Sequence, residues 1–361
     1  MVAEADQAVL EEFGHCEDWT PINIYTKLLR LIAVISGRVF IGPELCHDER
    51  YIEVAMNYTL ELSRAVVDIK SANFLLKPFL ARNLESVAAL RRRESEFLVL
   101  LTPTVEARRK AIADGDELPE DMLTWLMSQG AKDGIGGVRD IALIQLGLTF
   151  VAFHTTGITA TNIFYDLASR PDCIEPLREE IKQVLQDFKG VLNNSALQRL
   201  KKMDSFMKES LRLHPLTFAT FERRALQAFT LSNGQFIPKG TILEIPSDAI
   251  SRDAEIFPDP DTFNPWRFSE MRNDGPEDAR HQFVSISHLL GSFGYGRHAC
   301  PGRFFAANEI KMILARTLLA YDIRMKDGEK ERYQNLEFGL TSAPDPAKEL
   351  LFKKVYSGGS S

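Results

Sequence analysis

The sequence predicts a mainly α-helical protein with a small β portion in its second half. Three observations carry that reading. From Met1 to about Lys202, apolar residues recur at helical spacing in one stretch after another. Over residues 218–245 they shift to short alternating runs broken by turn residues. Near the C-terminus, residues 321–325, 336–340 and 350–355 are further short runs that read as strands. No interior linker separates domains, so residues 1–356 read as one domain and residues 357–361 as a flexible tail.

Taken in order, residues 23–40 place Ile24, Leu28, Leu31, Ile32 and Ile35 on one helical stripe, which Gly42-Pro43 ends. Residues 48–69 and 80–115 are long amphipathic stretches. Arg91-Arg92-Arg93 in the second reads as a solvated helix face rather than a binding patch. After a polar break, Pro119 opens a helix to about Met127, and Gly134, Gly136 and Gly137 make a loop. Residues 138–168 form the longest helical run. It is apolar nearly all round between Ile141 and Phe153 and so is expected to be buried. Pro171 opens the next helix, to about Phe188, and residues 204–214 make another, stopped by Pro215. In the β portion, Asn233-Gly234 marks a hairpin turn and Pro238-Lys239-Gly240 a second. Residues 253–268, rich in Pro and Asp, read as an ordered loop.

The 361 residues carry a formal net charge of −7, which gives no global argument for nucleic-acid binding. Four cysteines, Cys16, Cys46, Cys173 and Cys300, are scattered, which suggests a reducing compartment and no disulfide framework. No uninterrupted apolar run reaches the length of a membrane-spanning helix, and the first residues, acidic and amphipathic, are unlike a signal peptide.

The stretch with the most chemistry is Phe-Gly-Tyr-Gly-Arg-His-Ala-Cys-Pro-Gly-Arg-Phe-Phe, residues 293–305. Pro301 suits the first turn of a helix running to Ala320, so Cys300 sits at or just before a helix N-terminus. There, unpaired N–H groups and the macrodipole favour a thiolate. Gly294 and Gly296 let the backbone pass close to a flat partner and aim N–H groups at the sulfur. A lone cysteine is more often a buried structural residue, and no second cysteine lies near enough for zinc spacing. One thiolate in a glycine-lined loop, with Phe293 packed beside it, suits a heme iron with a single cysteine axial ligand.

Phe293, Gly296, His298, Cys300 and Gly302 spell Phe-x-x-Gly-x-His-x-Cys-x-Gly, which resembles the heme-binding signature of the cytochrome P-450 family of heme-thiolate monooxygenases. The likeness extends over residues 18–355, and the variant motifs, with Ser36 to Cys46, are most similar to fungal members of secondary metabolism. It implies a cytochrome P-450-like fold lacking its N-terminal segment, because the chain opens in a region that resembles a later helix. On that ground weak heme binding and poor turnover are expected. Members usually sit in endoplasmic-reticulum membranes, although no anchor is found in this sequence.

Ala152-Phe153-His154-Thr155-Thr156-Gly157 resembles the family's oxygen-activating motif in the long central helix. Thr155 then matches the threonine that assists proton delivery. His154 stands where Asp or Glu is usual, and Ala152 where glycine is usual. The residues alone more often mean back-bonded threonines and a satisfied core histidine; the resemblance changes that weighting. Glu209 and Arg212 resemble the family's Glu-x-x-Arg pair and Arg267 its third member, with Trp266 in place of the usual Glu. These would form a buried network that holds the fold. The resemblance makes Arg224 and His298 candidates for the heme propionates, with Gly294 in the cofactor loop. Residues 216–220, and with them 339–346, become candidate substrate-lining segments.

The implied activity is insertion of one oxygen atom from O2 into an apolar small molecule, terpenoid or polyketide-derived. An NADPH-dependent reductase would supply electrons, because no flavin or nicotinamide motif is found in the sequence. Two rival readings stand beside it: a heme-binding remnant without turnover, and a member catalysing isomerisation or dehydration.

Overall fold

A computed structural model describes residues 2–73, 77, 83–272, 278–329 and 331–355. The expected helix start near residue 80 and the expected tail at 357–361 lie outside the described residues. The chain divides into two compact units, Met1–Gly14 with Thr26–Gly157 and His15–Tyr25 with Ile158–Ser361.

The first unit is helical. Helix α1 spans Val2–Phe13, α2 Ile24–Phe40, α3 Glu49–Ser71, α4 Glu85–Asp114, α5 Met122–Asp133 and α6 Val138–Ala168; α2 begins, and α6 ends, in the second unit. Local chemistry sets the boundaries. Asp48 caps α3 by accepting from the Arg50 N–H, and Gly115 closes α4 in the left-handed region at φ 80°. The fifth helix starts later than the Pro119 signal suggested. Asp121 is its N-cap, accepting from the Thr124 N–H at 2.8 Å while both its oxygens take the buried Arg108 guanidinium. A buried charge pair thus fixes where the helix begins.

Helix α6 departs from the expected all-round burial. Leu143, Gly147, Phe150, Val151 and Thr155 are exposed along one face, with Val151 58% exposed. The opposite face buries Ile141, Leu146 and Phe153, with Phe153 stacked on Phe40 at 6.3 Å. By length and composition alone α6 could also cross a membrane, which corrects the expectation that no segment was long and apolar enough. Its buried Gln145 donates to the Phe40 carbonyl at 2.6 Å, the arrangement of a core helix.

The second unit carries α7 (Ile174–Asp187), α8 (Asn194–Arg199), α9 (Lys201–Leu213), the short α10 (Ser247–Ser251) and α11 (Arg267–Glu270), and α12 (Arg303–Ala320). Pro171 opens a 3-10 turn that leads into α7 rather than α7 itself. Its main sheet joins β1 (Thr20–Asn23), β9 (Glu349–Lys354) and β6 (Tyr321–Met325), both pairings antiparallel, with Phe352 opposite Thr20 on one side and Ile323 on the other. Strand β1 was not expected: Pro21 removes a donor, which an edge strand tolerates. Strands β2 (Thr220–Arg224) and β5 (Ile242–Ile245) pair antiparallel, as do β3 (Phe229–Thr230) and β4 (Phe236–Ile237) around Gly234 at φ 88°. Strands β7 (Asn335–Phe338) and β8 (Thr341–Pro344) form a last hairpin.

Candidate heme-thiolate site

The loop before α12 is shaped by its own backbone. Gly294 and Gly296 take φ 71° and 63°, conformations that cost L side chains strain. The Cys300 N–H donates to the Phe293 carbonyl at 2.8 Å and the Ala299 N–H to Gly296 at 3.1 Å, closing the loop on itself. A Cβ on Gly294 would meet the His298 carbonyl at 3.3 Å, whereas one on Gly296 would meet open space. The Gly294 N–H is bonded to Gly291 O at 2.9 Å, so it is not aimed at the sulfur as the sequence suggested. Phe293 packs edge-on to Phe283, ring centroids 5.3 Å apart. Arg303 donates to the Cys300 carbonyl at 2.7 Å and so ties the cysteine to the first turn of α12.

Cys300 differs from the other three cysteines. Cys16, Cys46 and Cys173 are buried, and burial pushes their thiols up, the last two to about 11; Cys300 is partly exposed. A partly exposed cysteine in the same loop as Gly296, where an added Cβ would meet open space, fits a flat prosthetic group bound through one sulfur. His298 is exposed and accepts from Arg297 Nε at 3.2 Å; Arg224 is exposed on β2 opposite Ile242.

Beside this loop lies a cavity of about 90 Å³ lined by Thr220, Phe221, Ile245, Leu289, Gly291 and Tyr295, among others. A Cβ on Gly291 would meet Thr220 Oγ1 at 2.7 Å and Ser247 Cβ at 3.4 Å, so Thr220 would have to turn to admit it. The two candidate lining segments run side by side: Phe218 N–H donates to Leu340 O at 2.8 Å, and Ser342 N–H to Leu216 O at 3.0 Å. That pairing links β8 to the entry of β2.

Glu209, Arg212 and Arg267 come together in full burial. Arg212 donates to Glu209 through Nε and Nη2, both at 2.8 Å, and Arg267 Nε donates to the same carboxylate at 3.1 and 3.2 Å. The remaining guanidinium N–H groups reach backbone carbonyls of Ser251, Pro258 and Pro260. This clamps residues 251–267. Phe257, within the clamped stretch, and Phe268, just after it, pack with Leu290, just ahead of the cysteine loop. The ion network therefore reaches the loop through three side chains.

In the first unit, Thr155 lies on the exposed face of α6, its hydroxyl donating to Val151 O at 2.8 Å. His154 faces away from that stripe. It is buried, its Nε2 lies 2.9 Å from the Met56 carbonyl in α3, and burial pulls its imidazole below the ordinary value. That contact is the geometry of a core histidine, on a face of α6 other than that of Thr155.

Sequence reasoning missed two buried hubs. Asp166 accepts from Ser210 at 2.6 Å, Arg332 at 2.9 Å and Arg170 at 3.1 Å. Burial alone would raise its carboxyl; His214, Arg332 and Ser210 together leave it low. Asp204 joins Lys311, Arg272 and the Phe283 N–H. For Asp166 the signal available in the sequence was an Asp in the apolar run Ile163 to Ala168; Asp204, in a charged helix, carried none.

A largely helical chain with a partly exposed cysteine in a glycine-bent loop ahead of a long helix fits the heme-thiolate class. A family model for cytochrome P450 matches residues 2–351. The chain is 38% identical to cytochrome P450 monooxygenase ATR3 of Stachybotrys chlorohalonatus, over 98% of this chain and 76% of that protein. It is 37% identical to cytochrome P450 monooxygenase braC of Annulohypoxylon truncatum, over 95% and 69%. It is 38% identical to cytochrome P450 monooxygenase paxP of Penicillium paxilli, over 98% and 69%. A solved cyanobacterial structure, CYP120A1 with retinoic acid bound, shares the fold at TM-score 0.71 and 20% identity, over 98% of this chain and 74% of that one. The chain belongs to the cytochrome P450 family, whose members hold heme through a cysteine thiolate.

Proposed function

We propose that the chain is a heme-thiolate monooxygenase with Cys300 as axial ligand. It would insert one oxygen atom from O2 into an apolar small molecule of fungal secondary metabolism, a terpenoid or polyketide-derived scaffold. The observation that carries this reading is the cysteine loop: a partly exposed cysteine, held by backbone bonds in a loop bent at Gly294 and Gly296. Phe293, Gly294 and Gly296 would shape the cofactor bed, and Arg224 and His298 would pair with its carboxylates. Bound there, the heme supplies oxygen activation. The chain's part is to hold the thiolate, exclude water and place the substrate. By the motif resemblance Thr155 would assist proton delivery, its hydroxyl exchanging the bond it now donates to Val151 O for one to the transferred proton's path.

The test supplies heme-loaded chain with NADPH, its reductase and a panel of terpenoids and polyketides under isotope-labelled O2. Label in the product supports the proposal. Heme without NADPH-dependent O2 uptake would favour the remnant, and product formed without NADPH would favour an isomerase or dehydratase. Thr155→Ala should keep heme, lower product formed per NADPH and raise peroxide release. Unchanged coupling would leave Thr155 as a back-bonded helix residue.

A further inference from the structure

We propose that Glu4, Cys46 and His47 form a site for one divalent transition-metal ion, zinc by preference, that pins α1 to the turn between α2 and α3. One ligand atom from each of the three lies within 4.8 Å of the other two. The turn makes this possible. Gly42 at φ 98° and the bonds from Cys46 N to Gly42 O, 3.2 Å, and from Asp48 N to Leu45 O, 2.9 Å, fold the chain so that consecutive residues present both side chains to Glu4. His47 Nε2 already sits 2.8 Å from Glu4 Oε2.

The donor set selects the ion. Sulfur, imidazole nitrogen and one carboxylate oxygen suit zinc and exclude magnesium and calcium, which take oxygen ligands. Tetrahedral zinc with bonds of about 2.0–2.3 Å needs ligand atoms roughly 3.2–3.8 Å apart. The His47–Glu4 contact would therefore open by about half an ångström as zinc enters between them. Cys46 contributes a buried sulfur, and its proton leaves to solvent on binding. Thiolate and carboxylate balance the ion's charge. Arg38 Nε, 3.5 Å from Glu4 Oε1, would hold the oxygen that does not bind. The His47 side chain is 45% exposed, which leaves an entry path and room for water as fourth ligand.

The competing account is a His47–Glu4 ion pair beside an inert thiol. The heme-loaded full chain is stripped with chelator, dialysed against buffered zinc and assayed for zinc per chain. Zinc-edge absorption then reads the ligands. One zinc per chain is expected, with a single sulfur at about 2.3 Å and lighter atoms near 2.0 Å. His47→Gln, at an exposed side chain, and Glu4→Gln, a near-isosteric change at a partly buried one, should each weaken binding at least about tenfold. Cys46→Ser should remove the sulfur signal. No zinc retained, zinc without a sulfur ligand, or zinc unaffected by His47→Gln would each overturn the proposal.

Discussion

Glu209→Gln is the sharpest perturbation of the fold around the cysteine loop. The carboxylate has no solvent access, nor does its Arg212 partner, and Arg267 is 6% exposed. It accepts from Arg212 twice, from Arg267, and from the Asn264 N–H at 3.0 Å. Glutamine keeps the shape but turns one acceptor into a donor facing guanidinium N–H groups. Two buried cations are left without a counter-charge. Breaking a buried pair in this way costs about 3–5 kcal/mol. The separate hydrogen bonds are not added to that figure, because they belong to one network. The loss should surface as a lower urea midpoint with unchanged slope and as reduced heme content. The second effect follows because residues 251–267 position Phe257 and Phe268 under Leu290. Lys182→Ala, which removes an exposed contact to Glu175 at 3.7 Å, serves as the control and should stay within about 0.5 kcal/mol. A Glu209→Gln loss below about 1 kcal/mol, the range of exposed pairs, would refute the claim that the network is buried and cooperative.

Two further predictions concern the loop and the helix. Gly294→Ala forces a Cβ into the left-handed region 3.3 Å from a carbonyl, a strain of about 1–3 kcal/mol, and should lower heme per chain. Gly328→Ala, with positive φ but open space, should not, and equal heme in the two variants would remove the argument from the loop. His154 is neutral in the fold because burial lowers its pKa, whereas the unfolded chain takes up that proton as pH falls through about 6.5. The stability it contributes is therefore complete above about pH 6.5 and declines below it. Relative to His154→Gln, the wild type should lose urea resistance as pH drops through that region. Parallel curves for the two proteins would show that His154 is not held neutral.

The helical half was legible because its stripes repeat at the helical period and its ends carry caps, as at Asp48 and Gly115. Burial was less legible. Helix α6 is apolar on both faces, and periodicity cannot tell a face packed on protein from one left open, so exposed Phe150 and Val151 came only with coordinates. Strand β1 was hidden by Pro21, and its partner lies at the far end of the chain. Glu209, Arg212 and Arg267 were picked out by resemblance, since any Glu-x-x-Arg looks the same on paper. Asp166 and Asp204 were missed because their partners, Ser210, Lys311 and Arg332, are brought near only by the fold. The face His154 takes was not legible for a related reason: one residue's step around a helix turns a side chain by about 100°. That step separates the Thr155 face from the core.

The most direct test of the central claim is the spectrum of the reduced, carbon monoxide-bound protein. With Cys300 as axial ligand, the full chain should give the red-shifted band of thiolate-ligated heme. Cys300→Ser should lose that band, while Cys173→Ser, which alters a buried thiol away from the loop, should keep it. A thiolate band persisting in Cys300→Ser would contradict the assignment of the site.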